Sequence, residues 1–245
     1  MPARLLRILG LGKTGPAHGG HHGLPRSTLP PETPLDDLPW LAFDTETTGL
    51  DPLRDRVVSI GALPYLGALP DGQTLDRLIN PQRPMPPAAR RIHGIDDAML
   101  VDAPPFATEA EELFALWRPR ALIGHNIAFD LAMLREEAHR SGTAFCPPAT
   151  SLDIGLIYAA LHPRAPSYAL EAIAASLGAS LGPRHTALGD AESAASLWLA
   201  LQAPLAARGI VTLGGAQALM RRARALMHRQ REAGWATDLL VPHGG

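Results

Sequence analysis

Three stretches in the first third of the chain have the hydrophobic pattern of β-strands. Leu41–Phe43 is a short apolar run that ends at Asp44. Residues 56–63 are rich in β-branched side chains, and residues 74–79 form a similar run. Because the connections between these stretches are short, the pattern predicts an antiparallel meander of three strands.

The pattern then changes to the spacing of helices. It predicts a helix at 107–117, a strand at 121–124, a helix at 127–140 and further helices near 153–161, 168–177 and 187–202. Three strands followed by alternating helices and strands are typical of an α/β fold, in which a mixed sheet carries helices on its faces.

The first 39 residues have a different composition. Glycine and proline account for thirteen of them, a share at which a packed core is not expected. We therefore expect residues 1–39 to form a flexible, Gly/Pro/His-rich tail before a folded domain at 40–203.

Two features of this tail resemble functional motifs. Gly12-Lys13-Thr14 is similar to the end of a phosphate-binding P-loop, but Arg7 stands where that motif needs a glycine, which excludes it. The histidines His18, His21 and His22 are more typical of a solvated stretch than of a metal site.

Residues 204–245 form a C-terminal extension with a predicted helix at about 216–233. This helix contains five arginines, Arg221, Arg222, Arg224, Arg229 and Arg231, against the single acid Glu232. The pattern fits either a solvated helix face or a surface that contacts phosphate groups or a partner.

Composition excludes several classes of protein. The formal net charge is −2, and Cys146 is the only cysteine, which rules out an intramolecular disulfide and a four-cysteine zinc site. No apolar run approaches the roughly 18 residues that a membrane span needs. We expect a cytoplasmic protein.

Four carboxylates are predicted at the ends of apolar elements, on the side that faces the core. Asp44 and Glu46 are two residues apart at the end of a strand, so both leave the same face. Asp130 and Asp190 are expected in the first turns of helices, on the side that turns toward the core. Turn chemistry for the first pair and a helix-dipole contact for Asp130 are alternative explanations.

A bound cation would explain all four positions together. Carboxylates without thiol ligands favour hard ions such as Mg²⁺ or Mn²⁺, and four negative charges match two divalent ions, an arrangement that serves phosphoryl chemistry. His185 precedes Asp190 by five residues; a lone histidine there is often only structural or exposed.

Three ordered motifs give the chain a resemblance to a known family. They are Phe43-Asp44-Thr45-Glu46-Thr47-Thr48-Gly49-Leu50, His125-Asn126-Ile127-Ala128-Phe129-Asp130 and His185-Thr186-Ala187-Leu188-Gly189-Asp190. The sequence from about 40 to 202 resembles the DEDDh-type, DnaQ-like 3′–5′ exonucleases, which include the proofreading epsilon subunit of bacterial DNA polymerase III. The tyrosine subtype is disfavoured because no tyrosine lies among residues 186–189.

This resemblance implies an RNase H-like fold with a five-stranded mixed sheet, three antiparallel strands followed by parallel ones. It implies that Asp44, Glu46, Asp130 and Asp190 bind two metal ions, with Asp44 shared between them, and that His185 is the general base. It also implies that the terminal nucleotide lies near Thr47, Leu50, Asn126 and Phe129.

The implied substrate is the single-stranded or frayed 3′ end of DNA, and the implied partner is a DNA polymerase catalytic subunit, contacted through 204–245. RNA is an alternative substrate, because no residue identifies a contact to the 2′-hydroxyl. A non-catalytic binding module of the same fold is a further alternative, although no ligand or base of the three motifs is missing.

Overall fold

The predicted strands are present and belong to one sheet. A computed structural model describes residues 29–118 and 120–240 of the chain. Its strands are β1 (Pro39–Thr47), β2 (Val57–Leu66), β3 (Leu69–Pro70), β4 (Leu75–Leu78), β5 (Ala121–Gly124) and β6 (Thr150–Asp153).

The sheet is mixed, as the sequence predicts. The strand order is β3-β2-β1-β5-β6, and β4 pairs with β2 on the same edge as β3. The pairs of β2 with β1, β3 and β4 are antiparallel, whereas β5 pairs parallel with both β1 and β6. The two-residue β3 brings the number of described strands to six rather than five. β6 is absent from the pattern analysis because a four-residue Thr-Ser-Leu-Asp stretch has no strand signature of its own.

Nine α-helices surround the sheet within the described ranges. They are α1 (Pro87–His93), α2 (Asp97–Leu100), α3 (Phe106–Trp117), α4 (Ile127–Ser141), α5 (Ile154–Leu161), α6 (Leu170–Leu177), α7 (Ala187–Ala206), α8 (Leu213–Met220) and α9 (Arg224–Glu232). The single helix predicted at 216–233 is wrong, because a turn at Arg221–Ala223 separates α8 from α9. None of the described helices is both long enough and apolar enough to cross a membrane.

Alternation along β1 assigns a helix layer to each face of the sheet. Trp40 packs edge-on against Trp198 of α7, with ring centroids 6.4 Å apart. Phe43 packs in the same manner against Trp117 of α3 at 6.0 Å. Because side chains alternate along a strand, even-numbered residues of β1 face α7 and odd-numbered residues face α3 and α4.

A buried ion pair fixes α4 on the sheet. The Arg56 guanidinium donates two hydrogen bonds to the Glu137 carboxylate, at 2.7 and 2.9 Å, and the backbone N–H of Val57 donates a third at 3.1 Å. The Glu137 side chain is 1% exposed. A carboxylate buried this deeply is tolerated only when its oxygens are paired, so the contact determines where α4 lies against the start of β2.

The end of the predicted tail is folded. Leu35 and Leu38 are buried in the core, and the backbone of this segment bonds to the C-terminal part of the chain, from Leu35 N–H to the Val211 carbonyl and from Leu213 N–H to the Thr33 carbonyl, both at 2.9 Å. The folded part therefore begins before residue 40. Residues 1–28, with the P-loop-like and histidine-rich stretches, lie outside the described residues.

The C-terminal extension also packs on the rest of the chain. Leu205, Leu213 and Met220 are fully buried in the main core, and the backbone N–H of Ala236 donates to the Ala128 carbonyl of α4 at 2.9 Å. The sequence predicts that the folded domain ends at residue 203, but residues 204–240 share its hydrophobic core.

Candidate active site

The side chains of Asp44 and Glu46 lie on the face of the sheet that α7 covers. Their register partners on β2 are Gly61 and Ser59. Glu46 is 9% exposed, and Asp44 is half-buried. The structure therefore confirms that the two carboxylates share one face.

A glycine on β2 allows α7 to approach these carboxylates. A Cβ atom on Gly61 would lie 2.3 Å from the carbonyl of Ala187, the first residue of α7. Thr186 caps the start of this helix, and its hydroxyl accepts a hydrogen bond from Gly189 N–H at 3.1 Å. Asp190 lies in the first turn, where the helix dipole favours an anion.

Three of the four predicted carboxylates converge. Asp44, Glu46 and Asp190 each offer an oxygen, and these oxygens lie within 4.8 Å of one another. We call these three residues the acidic cluster. Asp190 is 8% exposed, so the cluster is largely screened from water.

Asp130 is not one of the residues whose carboxylate oxygens lie within 4.8 Å of one another; it lies beside the acidic cluster. It is in the first turn of α4 and is 3% exposed. Thr45, which faces α4 from β1, donates a hydrogen bond from its hydroxyl to Asp130 Oδ1 at 2.6 Å. Asp130 therefore comes from the opposite helix layer and reaches the cluster at the end of the strand.

Burial and mutual repulsion act on these carboxylates together. Burial, followed by the charges of Asp130 and Glu46, raises the pKa of Asp44 well above its ordinary value. Burial and the charge of Asp130 raise the pKa of Glu46 to about 7. Burial raises the pKa of Asp130 to about 7 as well, although the Thr45 hydrogen bond opposes that increase.

Arg184 is the cation that partly balances this charge. It contacts the Asp190 carboxylate, donates a hydrogen bond from Nε to Glu171 Oε1 at 2.9 Å, and forms an ion pair with the same oxygen through Nη2 at 2.7 Å. Its charge lowers the pKa values of Asp44 and Glu46, but less than burial raises them. The position of Arg184 directly before His185 has no distinctive spacing, so the sequence does not single it out.

His185 lies at the edge of the site. Its side chain is exposed, its backbone adopts a left-handed φ of 59°, and its N–H donates to Asp190 Oδ2 at 3.2 Å. Burial lowers the pKa of His93, at the end of α1; a hydrogen bond with the Thr47 backbone opposes this decrease, and the charge of His185 adds to it.

The four predicted substrate residues have different environments. Thr47 is buried and donates to the Gly49 carbonyl at 2.7 Å. Leu50 is 78% exposed. Phe129 packs on Trp235, with ring centroids 5.6 Å apart.

Asn126 precedes α4 but does not cap it through its side chain. It has a left-handed φ of 60°, and no backbone N–H of the helix donates to its side chain. Its amide oxygen instead accepts from Gln230 Nε2 of α9 at 3.2 Å. Gln230 Nε2 also donates to Asp153 Oδ2 at 3.0 Å. This contact joins α9 to the end of β6, and a prediction of one continuous helix could not reveal it.

The acidic cluster suits a divalent cation. Its donors are carboxylate oxygens, which hard ions prefer, and its charge is only partly balanced by Arg184. Carboxylates that are buried, close together and hydrogen-bonded to few donors are stabilised by a cation of high charge.

Comparison with known proteins agrees with this geometry. The family model RNase_T, described as an exonuclease, matches residues 41–198, which contain all three motifs. The chain belongs to the exonuclease family.

Relatives of this exonuclease chain include replication proteins. It is 38% identical over 200 residues to a DNA polymerase III subunit epsilon-like protein of Rhodobacter capsulatus, covering 80% of this chain and 28% of that protein. It is 33% identical over 173 residues to the DNA polymerase III subunit epsilon of Rickettsia typhi, covering 68% of this chain and 75% of that protein. The chain thus spans under a third of the first relative's length.

Solved structures support the fold. Exonuclease X in complex with 5′-overhanging duplex DNA superposes with a TM-score of 0.58 at 21% identity, over 75% of this chain and 99% of that one. E. coli exonuclease I in complex with a dA16 oligonucleotide gives a TM-score of 0.57 at 19% identity, over 68% of this chain and 41% of that one. The predicted RNase H-like exonuclease fold is confirmed.

Gly61→Ala should lower the nuclease rate about 100-fold, because the added methyl group pushes the start of α7, and Asp190 with it, away from β1. The rate on a labelled oligonucleotide measures this effect, and circular dichroism checks that the variant folds. The control is Ala62→Gly, which changes the neighbouring position on the opposite face of β2. A Gly61→Ala enzyme of normal rate would contradict the assignment.

Glu46→Gln should stabilise the metal-free protein at pH 8. The raised pKa keeps Glu46 protonated in the folded state between its ordinary value and about 7. The unfolded chain is already ionised there, so wild-type stability falls as the pH rises through this window. Glutamine does not ionise and avoids that loss. The free energy of unfolding of Glu46→Gln should therefore exceed that of the wild type by on the order of 2 kcal/mol at pH 8, and the two should be nearly equal at pH 4.

Urea unfolding in EDTA at pH 4 and pH 8 measures this difference. Glu136→Gln on α4 is the control, because Glu136 forms no ion pair among the described residues. Adding Mn²⁺ at pH 8 should stabilise the wild type more than Glu46→Gln. A stabilisation by glutamine that is equal at both pH values would count against the electrostatic explanation.

Proposed function

We propose that this chain is a 3′–5′ exonuclease that hydrolyses the terminal phosphodiester of nucleic acid, with DNA preferred. The observation that carries the proposal is the convergence of Asp44, Glu46 and Asp190 within 4.8 Å, on the fold of an exonuclease family. Asp130 at the margin of the cluster completes the set of four acids.

In this proposal the four acids hold two divalent ions, Mg²⁺ or Mn²⁺, and Asp44 is shared between them. When bound, such ions lower the pKa of the attacking water and neutralise charge on the leaving 3′-oxygen. The protein supplies the fixed positions of the carboxylates. Thr45 orients Asp130 through its hydrogen bond, and the first turn of α7 orients Asp190.

His185 is proposed as the general base that accepts a proton from the attacking water. A reference pKa of about 6.5 suits an imidazole to this role near neutral pH. Its exposed side chain and its backbone bond to Asp190 support the assignment, since the group must be both close to the acids and open to water.

The terminal nucleotide is proposed to contact Thr47, Leu50, Asn126 and Phe129. The exposed side chain of Leu50 supports a contact with a base, and Asn126 lines an open groove beside the cluster. The solved exonuclease I complex contains a dA16 oligonucleotide, which supports single-stranded DNA as the substrate. RNA is the alternative that the test below includes.

A DNA polymerase catalytic subunit is proposed as a partner of residues 204–245, since relatives are named subunits of DNA polymerase III. A location in the cytoplasm remains a prediction from the sequence.

The direct test uses single-stranded DNA and RNA of equal sequence, labelled at the 5′ or the 3′ end. With Mg²⁺ or Mn²⁺, 5′-labelled DNA should give a ladder of shortened products, whereas 3′-labelled DNA should release labelled mononucleotide at once. EDTA and Asp44→Ala should each abolish both signals. Products that begin at the 5′ end, or a normal rate in Asp44→Ala, would overturn the proposal.

His185→Ala should lower kcat by roughly 10²–10⁴, the usual contribution of a general base, while Mn²⁺ affinity measured by titration calorimetry stays nearly unchanged. The rate of the variant should also lose the part of its pH dependence that arises from an imidazole. Exposed His139→Ala on α4 is the matched control. If the variant keeps the wild-type pH–rate profile, His185 is not the base.

A further inference from the structure

A groove of about 640 Å³ opens beside the acidic cluster. Arg184, which contacts Asp190, and Asn126, which precedes α4, both line this groove. Leu226 and Arg229 of α9 line it as well. These two residues lie beyond residue 198, where the family match ends.

The position of α9 is determined by a buried contact. Gln230 is 2% exposed, and its amide nitrogen donates to both Asn126 and Asp153. Asp153 is fully buried and accepts a further hydrogen bond from Leu156 N–H at 3.0 Å. Gln230 faces inward, whereas Leu226 and Arg229, which are three residues apart on α9, both line the groove.

The charges of the groove favour a polyanion. Its single lining carboxylate, Glu171, is already paired with Arg184. Arg229 is exposed, and neither it nor Arg221, Arg222, Arg224 or Arg231 forms an ion pair with any described residue. An unpaired arginine in a groove that adjoins the acidic cluster is suited to bind a backbone phosphate outside the hydrolysed bond.

We propose that α9 forms one wall of the path of the nucleic-acid strand, and that Arg229 binds a backbone phosphate of a nucleotide upstream of the hydrolysed terminal one. The inference rests on the proposed function, since it assigns the path by which the substrate leaves the acidic cluster. Arg229 touches substrate in this scheme but takes no part in the chemical step.

Binding is measured in the Asp44→Ala chain, which does not need to hydrolyse the probe. Fluorescence anisotropy gives the Kd of a 12-nucleotide and a 2-nucleotide DNA single strand, each with a 5′ label, over a series of salt concentrations. Arg229→Ala should weaken binding of the longer strand about tenfold at 0.1 M salt. The slope of log Kd against log salt should fall by about 0.7, the value for one phosphate contact on a single strand.

Two further variants separate a phosphate contact from a structural effect. Arg229→Lys keeps the charge and should keep the salt slope. Arg208→Ala removes an exposed arginine just beyond the other end of α7, which lies about 24 Å along the helix from Asp190 at 1.5 Å per residue, and should change neither quantity.

Two outcomes would overturn the inference. One is an Arg229→Ala chain with the same Kd and salt slope as Arg208→Ala, which would leave α9 free for a protein partner. The other is equal weakening of the 12-nucleotide and 2-nucleotide strands, which would place Arg229 at the terminal nucleotide. Because the assay reports binding alone, it separates failure of this inference from failure of the proposed hydrolysis.

Discussion

The repulsion between buried carboxylates is the constraint on which the site depends. Asp44, Glu46 and Asp130 are each held where burial and a neighbouring acid disfavour ionisation. A chain folded only for stability would not collect such groups at one point, since each costs free energy unless it is neutralised. In the proposed function, this unfavourable charge would be offset by bound cations that lie against the phosphate of the substrate.

Rigid packing elsewhere keeps these groups together. The carboxylates come from one central strand and from the first turns of two helices on opposite faces of the sheet. On one face Gly61 allows backbone contact between β2 and α7. On the other, the Arg56–Glu137 pair holds α4 against the sheet. Close-packed interiors transmit such constraints because they deform little.

The C-terminal segment is part of this arrangement. The turn at Arg221–Ala223 redirects the chain, so that α9 reaches both Asn126 and Asp153 through Gln230. The same helix therefore contributes a buried polar contact to the second motif and an arginine to the adjoining groove. The exonuclease domain and its extension are in this respect a single packed unit within the described residues.

Local pattern alone predicted the strands β1, β2, β4 and β5 and the helices α3 to α7, because period and capping are properties of neighbouring residues. It also selected the four carboxylates, whereas the role assigned to His185 came from the resemblance of the three motifs to a known family. Tertiary structure decided which acids meet within 4.8 Å and left Asp130 at the margin. It also paired Arg184 with Asp190 and Glu171, brought Gln230 to Asn126 and divided the basic helix in two. These features depend on side-chain contacts made in the folded chain, or on a turn that local helix propensity does not resolve, so the hydrophobic pattern does not contain them.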